Sequence, residues 1–240
     1  MTNHKEDWLL WQLSDSALPT GGFVASSGLE SAIHSGNVHD ITSLSNFLSS
    51  SIKNYAYSAL PFVSDAYIAA ESISDEHECY EHLERLDKLY DACTSNNVTK
   101  RASKAQGVAM LTLYSKSFAE EDDQGNNVVS KFKKEVRKRS VDGHFPVCFG
   151  LVARLVGLTL ERTQHLFLFL FARAILSAAV RLNIVGPYYS QRLLTDCQLY
   201  VETTLKETNT LRSEDAAQTS PLLDIFQGRH DNLYSRLFNS

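Results

Sequence analysis

Residues 166–180 read Leu166-Phe167-Leu168-Phe169-Leu170-Phe171-Ala172-Arg173-Ala174-Ile175-Leu176-Ser177-Ala178-Ala179-Val180. A bilayer span needs about 20 predominantly apolar residues. This run is shorter, Arg173 and Ser177 interrupt it, and alanines dilute its second half. It therefore reads as a buried core or interface helix. The small residues Ser177, Ala178 and Ala179 let a second helix cross closely there. Arg173 and Arg181 lie just over two helical turns apart and so share nearly one face. They must be paired or reach solvent.

Working outward, Thr159 caps this helix and Gly186-Pro187 stops it, with a helix over about 188–205 beyond. Upstream, Pro146 opens a helix through Val152, Leu155 and Val156 to Gly157. Thr99 starts a helix that runs to Phe118 with Val108, Leu111 and Tyr114 roughly aligned, after a break at Asn96-Asn97. Leu83, Leu86, Tyr90 and Cys93 make another stripe, with Glu84 and Lys88 in the favourable order. Asp40 is placed as the N-cap of a helix carrying Ile41, Leu44, Phe47, Leu48 and Ile52, and Pro61 separates it from the next. Ser26 or Ser27 is placed to cap a short helix through Leu29 and Ile33, closed by Gly36. Trp8, Leu9, Trp11 and Leu13 form a first short helix. Between these last two lies Leu18-Pro19-Thr20-Gly21-Gly22-Phe23, a Pro-Gly-Gly corner with apolar flanks.

No strand alternation and no repeat of 20–50 residues appears. The expected fold is all-α, a single helical-bundle-like domain of about ten helices over 1–212. A polar hinge at 213–219 and a tail complete residues 213–240. With 240 residues, 43% of them hydrophobic, the chain can bury a sizeable core. Its net charge of −5 gives no global pull toward nucleic acid or an anionic membrane. Cys79, Cys93, Cys148 and Cys197 include no Cys-x-x-Cys pair, so reduced thiols in a cytoplasmic protein are expected. Residues 1–7 are polar and suggest no secretory signal.

Motifs for phosphate loops, dinucleotide folds and nucleophile elbows are absent. His77 and His82 superficially suggest a zincin helix. At i+5 they stand about 140° apart, against about 40° at i+4, so they cannot share one face of a metal. Cys79 with His82 offers two ligands at most. Residues 131–139 hold six basic side chains, but Val129, Phe132 and Val136 thread them with a helical apolar stripe. A charged outer face is the leading reading and an acidic partner's dock the next. His144, just before a helix start, reads as an imidazole bracing a turn or as part of an interface. The tail interleaves Leu222, Leu223, Ile225, Phe226, Leu233, Tyr234, Leu237 and Phe238 with Arg229, His230 and Arg236. Such a segment packs on its own core or on a partner.

Four blocks occur in one order: the Pro-Gly-Gly corner with Ser26-Ser27-Gly28-Leu29-Glu30; Gly143-His144-Phe145-Pro146-Val147 with Gly150; 177–182 with Gly186 and Gln191; and the tail 221–240. In this the chain resembles the urease accessory protein UreF family over roughly 8–240. Three departures stand out. Residues 24–27 lack the Tyr and His of bacterial members, Pro187 follows Gly186 where the family often has Gln, and 120–139 looks like a lineage-specific insertion.

The resemblance implies an all-α homodimer without catalytic chemistry of its own. It would act with a UreD/UreH-type protein and a UreG-type GTPase on apo-urease. Nickel would be handled by the complex, with no cofactor held stably by this chain and no nucleic acid or membrane partner. By resemblance, Arg229, His230, Tyr234, Arg236, Leu237 and Phe238 dock the UreD/UreH-type partner. Gly21, Gly22, Glu30, Arg181 and Gln191 serve dimerisation or GTPase recruitment. Two other roles remain open: a GTPase regulator offering Arg181 or Arg236, and a nickel-binding chaperone using Cys79, His82 or His144.

Overall fold

A computed structural model describes residues 4–20, 22, 25–119 and 128–240. Its described residues form eleven α-helices and no strands. They are α1 (His4–Leu13), α2 (Leu29–His34), α3 (Ile41–Ser58), α4 (Leu60–Ser72), α5 (Glu76–Cys93), α6 (Asn97–Ser117), α7 (Val128–Lys138), α8 (Phe145–Val156), α9 (Leu160–Arg181), α10 (Pro187–Thr208) and α11 (Pro221–Arg229). The all-α expectation holds, with one helix more than about ten.

The starts and stops follow the capping chemistry. At α3, Ser43 N–H donates to Asp40 Oδ1 (2.7 Å) and Asp40 N–H donates to Ser43 Oγ (3.0 Å). This reciprocal cap contributes about 1 kcal/mol. Asn96 caps α6, Thr159 caps α9, and Pro61, Pro146 and Pro187 sit in the first turns of α4, α8 and α10. One expected cap is different. Gly28, in the left-handed region at φ 88°, precedes α2 with no side-chain cap, and Ser26 is committed elsewhere.

α8 is the innermost helix, packed between α4 and α6. Gly150 makes the α4 contact possible: a Cβ there would lie 2.2 Å from the Val63 carbonyl oxygen. Among the described residues, α9 alone is long and apolar enough to cross a membrane. It lies against α3, α4, α8 and α10 instead, with Phe167, Leu168, Ile175 and Leu176 buried. Tyr55 stacks on Phe167 and Phe171 of α9 at 4.8 and 4.0 Å between centroids.

The polar segment at 213–219, read as a hinge, is strapped to the body. Asp65 accepts from Ser213 N–H (2.8 Å), Tyr57 O from Ala217 N–H (3.1 Å), and Asn54 Oδ1 from Thr219 and Ser220 N–H (2.8 and 3.0 Å). These backbone donors find fixed acceptors, which a freely moving linker would leave to water.

Candidate partner-docking site

The tail folds onto its own body. Leu223 and Phe226 of α11 are buried, and Phe226 meets Phe47 at 6.4 Å. Asn96 Nδ2 donates to Asp224 O (2.8 Å) and Thr99 Oγ1 to Gln227 Oε1 (2.7 Å). α11 comes so near α2 that a Cβ on Gly28 would sit 3.0 Å from Gln227 Cγ and 3.3 Å from Phe226 Cβ. Glycine therefore serves here twice, for the close approach and for the left-handed backbone.

Glu30 closes the contact. It is 2% exposed, and its carboxylate accepts from Leu237 N–H (2.6 Å), Phe238 N–H (3.2 Å) and His230 Nε2 (3.2 Å). A buried carboxylate is tolerated only with such donors. His230 is fully buried, and its Nδ1 has no hydrogen-bond partner. Ser26 donates twice to a Ser240 main-chain oxygen, from N–H (2.5 Å) and Oγ (2.9 Å). The Arg181 guanidinium lies 4.3 Å from the centroid of buried Phe238, a cation–π contact. Outside, Asp231 takes both Arg101 (2.8 and 3.1 Å) and Arg236 (2.8 Å).

The predicted residues thus divide. Glu30, His230 and Phe238 face inward and hold the tail. Arg181, Gln191, Arg229, Tyr234, Arg236 and Leu237 are exposed, and Gly22 is half-buried. Gly21 lies outside the described residues. Arg181, Gln191, Gly22 and Ser240 border a cavity of about 670 Å3 whose floor includes Phe149 and Phe167. Arg173 lines it too and donates to Ser14 O; burial lowers its pKa.

Gly143-His144 is held from a residue that sequence reading missed. Asp87, buried on α5, accepts backbone N–H bonds from Asp142 (2.7 Å), Gly143 (3.0 Å) and His144 (2.7 Å). His144 is fully buried, between Ser103 Oγ (Nδ1, 3.2 Å) and Asp91 Oδ1 (Nε2, 3.2 Å). Burial holds its pKa below the ordinary 6.5. It braces the turn.

Asp91, Asp142 and His144 bring ligand atoms within 4.8 Å of one another. Lys100 (2.8 Å) and Lys104 (3.3 Å) already pair with Asp91, and Lys104 also pairs with Asp142 (2.8 Å). A divalent cation would have to displace two ammonium groups, so this donor set suits a salt-bridge network. Cys79 is buried and donates to Ala69 O, while His82 is half-buried with its Nδ1 beside Arg85, so these two do not converge on a metal.

Fold and site together define an all-α protein whose C-terminal segment is clasped to α2 and the residues just before it, presenting a row of apolar and basic side chains. A family model for UreF matches residues 38–198. The chain is 37% identical to urease accessory protein F of Arabidopsis thaliana, over 97% of this chain and 92% of that protein. It is 33% identical to urease accessory protein 6 of Cryptococcus neoformans var. grubii, over 98% of each. With urease accessory protein UreF of Paenarthrobacter aurescens the identity is 30% over 96% of each. The chain belongs to the UreF family.

Proposed function

We propose that this chain is a non-catalytic accessory protein of urease maturation, acting as a cytoplasmic homodimer. It joins a UreD/UreH-type protein and a UreG-type GTPase so that the assembly loads nickel into apo-urease. The observation that carries the reading is the clasped tail. Leu222, Ile225, Tyr234 and Leu237 stand 53%, 53%, 108% and 57% exposed on a segment whose inner side is pinned. Tyr234, Arg229 and Arg236 are residue types enriched in binding hot spots, the exposed aliphatic groups beside them add apolar contact area, and an ordered tail loses less entropy on docking. The cavity rim at Gly22, Arg181 and Gln191 is the second surface, for the second copy or the GTPase. Nickel is cargo of the assembly, and this chain holds no cofactor stably.

The test is light scattering after size exclusion of the full chain with both partners, against the double variant Tyr234→Ala/Leu237→Asp. The wild type should form the ternary complex and the variant should not. The variant's thermal midpoint should stay within about 4 °C, because two exposed substitutions at about 0.5 kcal/mol each sum to about 1 kcal/mol. A variant that assembles normally, or a wild type that assembles with neither partner, overturns the reading.

A further inference from the structure

The outer face of α7 has no part in the tail site. Val128, Val129 and Phe132 point into the core, and six of residues 131–139 are basic. Two of the six are engaged: Lys131 Nζ lies 4.4 Å from the Tyr80 ring centroid, and Lys138 pairs with Glu135 at 2.7 Å. Lys133, Lys134, Arg137 and Arg139 form no ion pair among the described residues, and neither does Lys116 at the end of α6. Lys133, Arg137 and Lys116 repel one another, while Lys134 also feels the Glu135 carboxylate. Lys133 has its pKa lowered by burial first and then by Arg137 and Lys116.

Arg139 adds an independent observation. Its φ is +63°, and it occupies the left-handed position of a Schellman turn, where Ser140 N–H donates to Glu135 O (3.1 Å) and Arg139 N–H to Val136 O (3.0 Å). Glycine takes that conformation without the strain an arginine carries. The helix dipole favours cations in the last turn, which covers Arg137 and Lys138 but not Lys133 or Lys134. The fold thus keeps a cluster of cations without ion-pair partners among the described residues, three of them mutually repelling, and one strained arginine. All of them but Lys116 fall within 120–139.

We propose that the outer face of α7, with Lys133, Lys134, Arg137, Arg139 and neighbouring Lys116, docks an acidic segment of a partner protein. The α7 axis, about 16 Å long at 1.5 Å per residue, matches a short acidic helix or loop. Nucleic acid fits less well. The one aromatic of the stretch, Phe132, is fully buried and offers no base a stacking surface, and the whole chain is negative. A bilayer fits less well too, since the apolar face of α7 is spent on the core and none remains to insert.

The experiment uses the full chain and the variant Lys133→Gln/Lys134→Gln/Arg137→Gln. The probe is a labelled oligoglutamate peptide, followed by fluorescence anisotropy at low and at moderate salt. Duplex DNA and phosphatidylserine vesicles are run beside it. The wild type should bind the peptide in preference to either polyanion, more weakly as salt rises, and roughly tenfold more tightly than the variant. The variant's thermal midpoint should equal or exceed that of wild type, since repulsion is removed. Equal peptide binding by both chains, or tighter wild-type binding to DNA or vesicles, overturns the proposal. A marked fall in the variant's midpoint also overturns it, by showing that the cations serve the fold.

Discussion

Glu30 shows how much one side chain decides at the residue scale. Its two oxygens take three donors from the tail, two of them backbone N–H groups at Leu237 and Phe238. Glu30→Gln keeps the shape but turns one acceptor into a donor facing other donors. The buried mismatch should cost about 2 kcal/mol. The amides of Leu237 and Phe238 should then exchange with solvent at least about tenfold faster, a factor that 1.4 kcal/mol already provides. Unchanged exchange in the variant would mean that packing of Phe238 alone holds the tail. Glu30 was legible in the sequence as part of a motif, though not as an inward anchor. Asp87 was not legible at all, because its three partners are backbone groups 55 to 57 positions away.

Among the elements, α8 meets a tight steric demand. It crosses α4 where Gly150 leaves no room for a Cβ against Val63 O. Gly150→Ala should therefore force α4 and α8 apart, although alanine is the better helix former. Intrinsic propensity favours alanine by about 1 kcal/mol, while overpacking in a core costs about 1–3 kcal/mol or more. Urea denaturation should show net destabilisation; a stabilised variant would mean that the two helices can slide apart freely. The helices other than α11, which the sequence presented only as a tail, were readable from periodicity and caps. Asp40, Asn96 and Thr159 sit where their short polar side chains satisfy otherwise orphaned N–H groups.

For the whole molecule, α5, α6 and the α7–α8 turn meet in one ionic network, part-buried at Asp91, Lys100 and Lys104 and fully buried at His144, and its titration links stability to pH. The folded pKa of His144 lies below 6.5 through burial, so the unfolded chain binds the proton first on acidification. Its contribution is complete above that value and is lost as pH falls from 6.5 toward the folded pKa. Asp91 is pushed up by burial, but Lys100, His144 and Lys104 outweigh this and hold its carboxyl far below the ordinary 3.8. Its contribution is lost only at more acidic pH. Unfolding free energy measured between about pH 7.5 and 5.5, which brackets the histidine range, should fall for wild type and fall less steeply for His144→Gln. Parallel slopes would assign the dependence to other groups.

The sequence by itself determined the helices up to α10, most of their caps, the buried character of 166–180 and the four blocks of the family. These are local properties, written in side-chain period and in groups three or four residues apart. Tertiary structure alone decided where the tail lies. It also decided that Ser26 binds Ser240 instead of capping α2, that 213–219 is strapped, and that Asp91 is neutralised by lysines. Each of these depends on which donor meets which acceptor across many intervening residues. That pairing is settled only when the core closes and every buried polar group must find a partner.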